Sequence, residues 1–124
     1  MPRQLFALVA VSVFLSLPKG ATAQEKYDQF VGEWVASLQI ARSCPGMTTY
    51  DQQGAAEIAR SQNKLRKQKV LRLLFYSKTE LLEQQGNIAL SKRKLDPSNK
   101  QSLCRFGRSV AGKNDSIGRF LRTN

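Results

Sequence analysis

Glu25–Ser43 reads EKYDQFVGEWVASLQIARS, and Cys44-Pro45-Gly46 follows at once. Tyr27, Phe30, Val31, Trp34, Leu38 and Ala41 recur at three- and four-residue spacing, whereas Asp28, Gln29, Glu33 and Gln39 fall off that stripe. A period near 3.6 gathers such apolar positions on one helical face. The spacing predicts a helix from Glu25 to Ser43, stopped by a proline with no amide to donate and by a glycine. Its apolar face needs a cover, and the same period recurs downstream while strand-like alternation is scarce.

A second helix is expected from about Thr49 to Leu74, with Ala55, Ile58, Ala59, Leu65, Val70, Leu73 and Leu74 on its broad apolar side. Arg66 and Lys69 intrude on that side. Either their stems lie along apolar surface with the charges in water, or the helix bends near Ser61-Gln62-Asn63. Ser77 and Glu80 have capping-box spacing, which opens a third helix over about Lys78–Lys94 with Leu81, Leu82, Ile88, Ala89 and Leu95 inward. Gly86 inside it calls for close packing against another helix. Ser98 and Gln101 repeat the box, for a fourth helix over about Asn99–Ala111. Asp115 or Ser116 then caps a short final helix in which Ile117, Phe120 and Leu121 dock on the core. The expected fold class is all-α: a compact bundle of four helices plus a short C-terminal helix. Its predicted core rests on Phe30, Trp34, Leu38, Leu81, Ile88, Leu103 and Val110.

Upstream of this domain lies a different kind of segment. Arg3 precedes a thirteen-residue run, LFALVAVSVFLSL over Leu5–Leu17, ended by Pro18-Lys19-Gly20 and followed by Ala21-Thr22-Ala23. A basic start, a short apolar run and small residues at the end are the marks of a secretory signal peptide, with cleavage expected after Ala23. As a helix the run would reach only about 20 Å, short of the ~30 Å hydrocarbon core. Residues 1–23 are therefore read as a leader and 24–124 as a single helical domain, periplasmic or secreted. No cysteine follows the apolar run, so no lipoprotein anchor is expected.

Cys44 and Cys104 are the only cysteines. In an oxidising compartment one intramolecular pairing exists for them, and a structural disulfide is expected. A reactive thiol is the alternative; it would lack both a histidine partner and a Cys-x-x-Cys arrangement. Closing a loop of about 60 residues stabilises a fold by roughly 4 kcal/mol on chain-entropy grounds.

Cys44-Pro45 after a first helix, Cys104-x-x-Gly107-Arg108, and a closing Ser116-Ile117-Gly118-Arg119-Phe120-Leu121-Arg122 together resemble an uncharacterised family of small exported alphaproteobacterial proteins. Its members carry a leader, two cysteines at these places and an Ile-Gly-Arg-Leu-Leu-Arg-like end. Val110 stands where they often have an acid. The resemblance implies export and the Cys44–Cys104 bridge, and it implies no activity. In the closing segment, Ile117, Gly118, Arg119, Phe120 and Leu121 read as a docked terminal helix, or alternatively as a tail that recognises a partner.

The whole chain has 124 residues, with 20 Lys+Arg, 9 Asp+Glu and a formal net charge of +11. That length holds one ordinary domain. The charge is uneven. Residues 24–57 carry two bases against five acids, and residues 58–124 carry 16 bases against four acids. Between Glu57 and Glu80 there is no acid, while Arg60, Lys64, Arg66, Lys67, Lys69, Arg72 and Lys78 appear. Such a field attracts anions in a salt-sensitive way. Arg60, Lys64 and Lys67, with Arg72 at their flank, are the anion-binding candidates on a predicted outer face. A solvated face with no dedicated ligand is the plain alternative. Export and the lack of interleaved aromatics until Phe75 and Tyr76 disfavour nucleic acid. Lipid head groups, outer-leaflet phosphates and acidic polysaccharide are the expected anions.

The chain has no histidine. That excludes histidine-based triads and removes the commonest metal ligand. Ser61 and Lys64 have Ser-x-x-Lys spacing, but bases crowd around them. Glu80 and Glu83 share one helix face without a distant carboxylate partner, so no glycosidase pair is drawn. No metal site, cofactor or catalytic residue is expected. The composite reading is a non-enzymatic exported domain that binds an unknown protein partner, through the terminal segment or an apolar groove, or else an anionic envelope surface. A histidine-free enzyme is the remaining rival.

Overall fold

The structure, a computed structural model, describes residues 22–124. The predicted leader through residue 21 lies outside the described residues. Among the described residues five α-helices and two short strands follow one another: α1 (Ala23–Ser43), β1 (Met47–Thr49), α2 (Gln52–Asn63), α3 (Lys67–Tyr76), α4 (Thr79–Lys92), α5 (Lys100–Val110), a single 3-10 turn (Gly118–Phe120) and β2 (Leu121–Thr123). The all-helical expectation holds, with five helices rather than four and a terminal one.

The first helix is the axle of the fold. It begins two residues before the expected start at Glu25, because Thr22 caps it: the Glu25 amide donates to Thr22 Oγ1 at 3.1 Å and the Thr22 amide to Glu25 Oε1 at 3.2 Å. This reciprocal box satisfies two otherwise orphaned donors. Cleavage after Ala23 would remove it. At the other end Cys44 is extended, and Gly46 at φ +79° turns the chain into β1.

Two apolar clusters flank α1. Tyr27, Phe30, Val31, Trp34 and Val35 meet Ala55, Ala56, Ile58 and Ala59 of α2, Val70 and Leu74 of α3, and Phe120. Nearer its C-terminal end, Ala36, Ile40 and Cys44 meet Met47, Ala89, Leu90, Leu103, Cys104, Ile117 and Leu121. Glycines set how closely two helices approach α1. A Cβ on Gly86 of α4 would lie 2.6 Å from Val35 Cγ1, and one on Gly107 of α5 would lie 2.5 Å from Ile40 Cγ2. Cys44 and Cys104 are bonded, joining the end of α1 to α5 across 60 residues.

Several expectations are corrected. The second helix is two. Lys64 adopts a left-handed φ of 55° and the Leu65 amide reaches back to the Ala59 carbonyl at 3.0 Å, which ends α2. Leu81 and Ile88 are 47% and 50% exposed instead of buried. The face of α4 that meets α1 carries Gly86, Ala89 and Leu90, and Gly86 is where the two helices close, against Val35. Ser77 does not cap α4. It ends α3, its amide donating to the Leu73 carbonyl, and Lys78 precedes α4 without a side-chain cap. Only Ser77 and Lys78 separate the two helices. Asn99, not Ser98, caps α5 by accepting from the Ser102 amide at 3.0 Å, while Ser98 donates its amide and hydroxyl to Asp96.

The C-terminal segment is not a helix. Asp115 Oδ1 accepts from the Ile117 and Gly118 amides at 2.9 and 2.8 Å, forcing a tight turn. Residues Leu121–Thr123 then pair antiparallel with Met47–Thr49, Thr49 opposite Leu121. The backbone groups of β1 need a partner, and the chain's end supplies it.

Candidate functional site

The two sequence-derived candidate regions have opposite fates. In the closing segment, Ile117, Gly118, Phe120 and Leu121 are buried in the core. They offer no docking surface, which corrects the tail reading. Gly118 is sterically required, since a Cβ there would run into the Val110 carbonyl. Arg119 is nearly enclosed, with 13% of its side chain exposed against 12% for Glu33, and the two pair at 3.1 Å. The Arg119 guanidinium also donates to Asn63 Oδ1 at 2.7 Å and Gln62 Oε1 at 3.2 Å. It lies 5.2 Å from the Phe30 ring centroid and 4.8 Å from that of Phe120. One cation thus ties α1, the end of α2 and the chain's terminus together. Burial raises the Glu33 carboxyl above its ordinary range, against the Gln29 hydrogen bond and the Arg119 charge. Burial likewise lowers the Arg119 guanidinium. Desolvation outweighs attraction at both ends of this pair, as is common for buried ions.

Asp115 presents the contrasting case. Burial pushes its carboxyl up, but hydrogen bonds from Arg93 and from the Gly118 and Ile117 amides outweigh this and hold it below its usual range. Arg93 pairs with Asp115 at 2.5 Å and lies 4.8 Å from the Phe106 ring centroid. It belongs to the frame of the terminal turn.

The basic stretch is divided by the break at Lys64. Arg60 and Lys67 converge on Glu57, Lys67 at 3.4 Å. The Arg60 hydrogen bond, chiefly, holds the Glu57 carboxyl down to about 2. Of the four anion-binding candidates, Arg60 and Lys67 are thus partly neutralised, and Lys64 and Arg72 stand apart from that pair. Ser61 Oγ donates to the Glu57 carbonyl at 2.9 Å and forms no dyad with Lys64.

The unneutralised bases gather beyond the break. Arg66, Lys69 and Arg72, with Leu73, Tyr76 and Ser77, line a shallow hollow of about 510 Å³. Among the described residues none of these three bases pairs with an acid. Lys69 Nζ lies 4.4 Å from the Tyr27 ring centroid, and the Arg66 amide donates to Tyr27 Oη at 2.8 Å, which fixes the start of α3 against α1. No side chain caps α3 and its first turn has no acid, so its N-terminal partial charge adds to the patch. Phe75 and Tyr76 are 51% and 83% exposed on the same helix. Arg66, Lys69, Phe75 and Tyr76 were outside the expected site. Their signal is the helical spacing of Lys69, Arg72 and Tyr76, legible once Lys64 is known to break the helix.

Among the described residues no helix is long and apolar enough to cross a membrane, and no three His, Cys, Asp or Glu side chains gather as a metal site. No protein-family model, curated protein or solved structure matches the chain.

Proposed function

We propose that this protein is exported and works as a non-catalytic binding domain whose α3 face docks on an anionic membrane surface. The observation that carries the reading is the pairing of unneutralised Arg66, Lys69 and Arg72 with exposed Phe75 and Tyr76 on one short helix and the residue that precedes it. Bases near an anionic leaflet contribute about 1 kcal/mol each, and aromatic rings favour the head-group zone. The leader-like N-terminus, the disulfide and the resemblance to an exported family support the extracytoplasmic setting.

Co-sedimentation of the full chain with phosphatidylglycerol-containing vesicles tests this. Binding is expected at low salt, weakening steeply as salt rises, with none to purely zwitterionic vesicles. Changing Arg66, Lys69 and Arg72 together to Gln should weaken it severalfold, and Phe75→Ala with Tyr76→Ala should weaken it while keeping the salt dependence. Vesicle binding untouched by the triple change would sink the reading.

A protein partner is the second reading. Leu81 and Ile88 lie half exposed, seven residues apart on α4, and Ile88 borders a groove of about 560 Å³ between α1 and α4. Crosslinking to one defined envelope protein, lost on Leu81→Ser with Ile88→Ser, would favour it.

A further inference from the structure

A second basic surface lies at the other end of α1. Lys100, Arg105 and Arg108 of α5, with Gln101, Cys104 and Ser43, line an open hollow of about 470 Å³ beside the disulfide. There is no acid in α5 and none in this lining. The three bases have no ion-pair partner among the described residues. Lys100 stands in the first helical turn, where the helix dipole disfavours a cation. The fold keeps it there without an acid to offset it. Lys100 and Arg108 are eight residues apart, about 12 Å along the helix. That span matches adjoining head groups better than one phosphate. The Cys44–Cys104 bond and the close approach of Gly107 to Ile40 hold this surface rigidly against the end of α1.

The α3 surface is fixed at Tyr27 and the α5 surface at Cys44. Seventeen residues of helix between these points measure about 25 Å. That is beyond the ~8–10 Å over which solution screens charge at physiological salt, so the two surfaces act independently. Tyr27 and Ile40, the α1 residues on which the α3 and α5 elements pack, are thirteen residues apart and so lie about 140° apart around α1 at 3.6 residues per turn, which turns the two surfaces away from each other. We propose that the α5 surface is a second docking site for anionic phospholipid, and that one molecule thereby bridges two bilayers. This rests on the reading of α3 as a membrane-facing surface.

The test measures binding by sedimentation and clustering by light scattering on the same phosphatidylglycerol-containing vesicles. The full chain should bind and cluster them. Arg105→Gln with Arg108→Gln should keep sedimentation within about twofold through α3 while lowering the clustering rate about tenfold or more. Binding without clustering by the parent chain would overturn bridging. So would undiminished clustering by the α5 variant, which would point to self-association, or its complete loss of sedimentation, which would leave α5 as the sole surface. Sedimentation and clustering both undiminished in the Arg66, Lys69, Arg72 triple variant would instead overturn the α3 reading.

Discussion

Arg119 with Phe120, and Arg72 with Phe75 and Tyr76, use similar side chains for opposite ends. Arg119 has Glu33 opposite it, two amide side chains beside it and aromatic rings about it, so its charge is enclosed and neutralised. Arg72 lies in an acid-free interval on an outer helical face, next to rings that the core does not claim. The difference teaches that a basic-aromatic cluster is structural or available according to whether the fold brings an acid to it. Glu33 and Arg119 are separated by 86 residues, so only folding brings them together.

The comparison breaks most sharply at Arg119 itself. Arg119→Ala leaves Glu33 buried without its cation and should cost ~3–5 kcal/mol in denaturant unfolding, a large part of the 5–15 kcal/mol that typically holds a domain together. Adding Glu33→Ala should recover some of that loss, since the stranded charge is then gone. A cost under 1 kcal/mol for Arg119→Ala would place its guanidinium in solvent.

Gly118→Ala comes next. Its new methyl meets the Val110 backbone carbonyl, which a side-chain rotation cannot relieve, and thermal unfolding should report a loss of about 3 kcal/mol. At Gly112, where no neighbour lies within 4 Å, the same change meets only the strain of φ +73°. It should cost less, about 1 kcal/mol.

Acid sharpens the view of the terminal turn. The Asp115 carboxyl is held below its ordinary 3.8, so the stabilisation it supplies is complete above that pH and disappears as pH falls through the lowered value. Asp115→Asn should cost ~1 kcal/mol near neutrality, as loss of a charged cap does, and should flatten this acid limb. Glu33 has the opposite sign. Its carboxyl is raised above 4.5, so its contribution is largest below that pH and declines as pH rises through the raised value. Stability against pH measured in Glu33→Gln should therefore lack that decline.

The smallest stability effect is expected on the exposed side. Arg72→Ala should change unfolding free energy by no more than about 0.5 kcal/mol. Its affinity for anionic vesicles should nonetheless fall about fivefold, from ~1 kcal/mol of lost attraction. A large destabilisation here would move Arg72 into the same class as Arg119.

Local spacing carried most of the helical reading. The apolar stripe from Tyr27 to Ala41 and the stop at Cys44-Pro45-Gly46 rest on near neighbours in the chain, while the sequence offered only a bend near Ser61-Gln62-Asn63 where the helix in fact ends at Asn63. The inward edge of α4 was legible only in part: Gly86 and Ala89 were read on the packed side, whereas Leu81 and Ile88 lie half exposed. Leu81 and Ile88 are the larger apolar groups, yet Gly86 is the residue that fits against Val35. Of the candidate anion site, the acid-free interval and Arg72 were legible. The pairing of Arg60 with Glu57, three residues apart on one helix, lay within reach of local spacing, whereas that of Lys67 with Glu57 did not, because the left-handed turn at Lys64 decides where Lys67 falls.

The sequence by itself determined the helical class, the charge asymmetry and the one intramolecular disulfide open to two cysteines. Each depends on composition or on spacing within a turn or two of helix. Tertiary structure alone decided that the chain's end becomes a strand on Met47–Thr49, that Arg119 is sealed against Glu33, and that Phe75 and Tyr76 stay outside. The physical reason is that exposure and neutralisation depend on what a distant segment brings alongside. No local period encodes that.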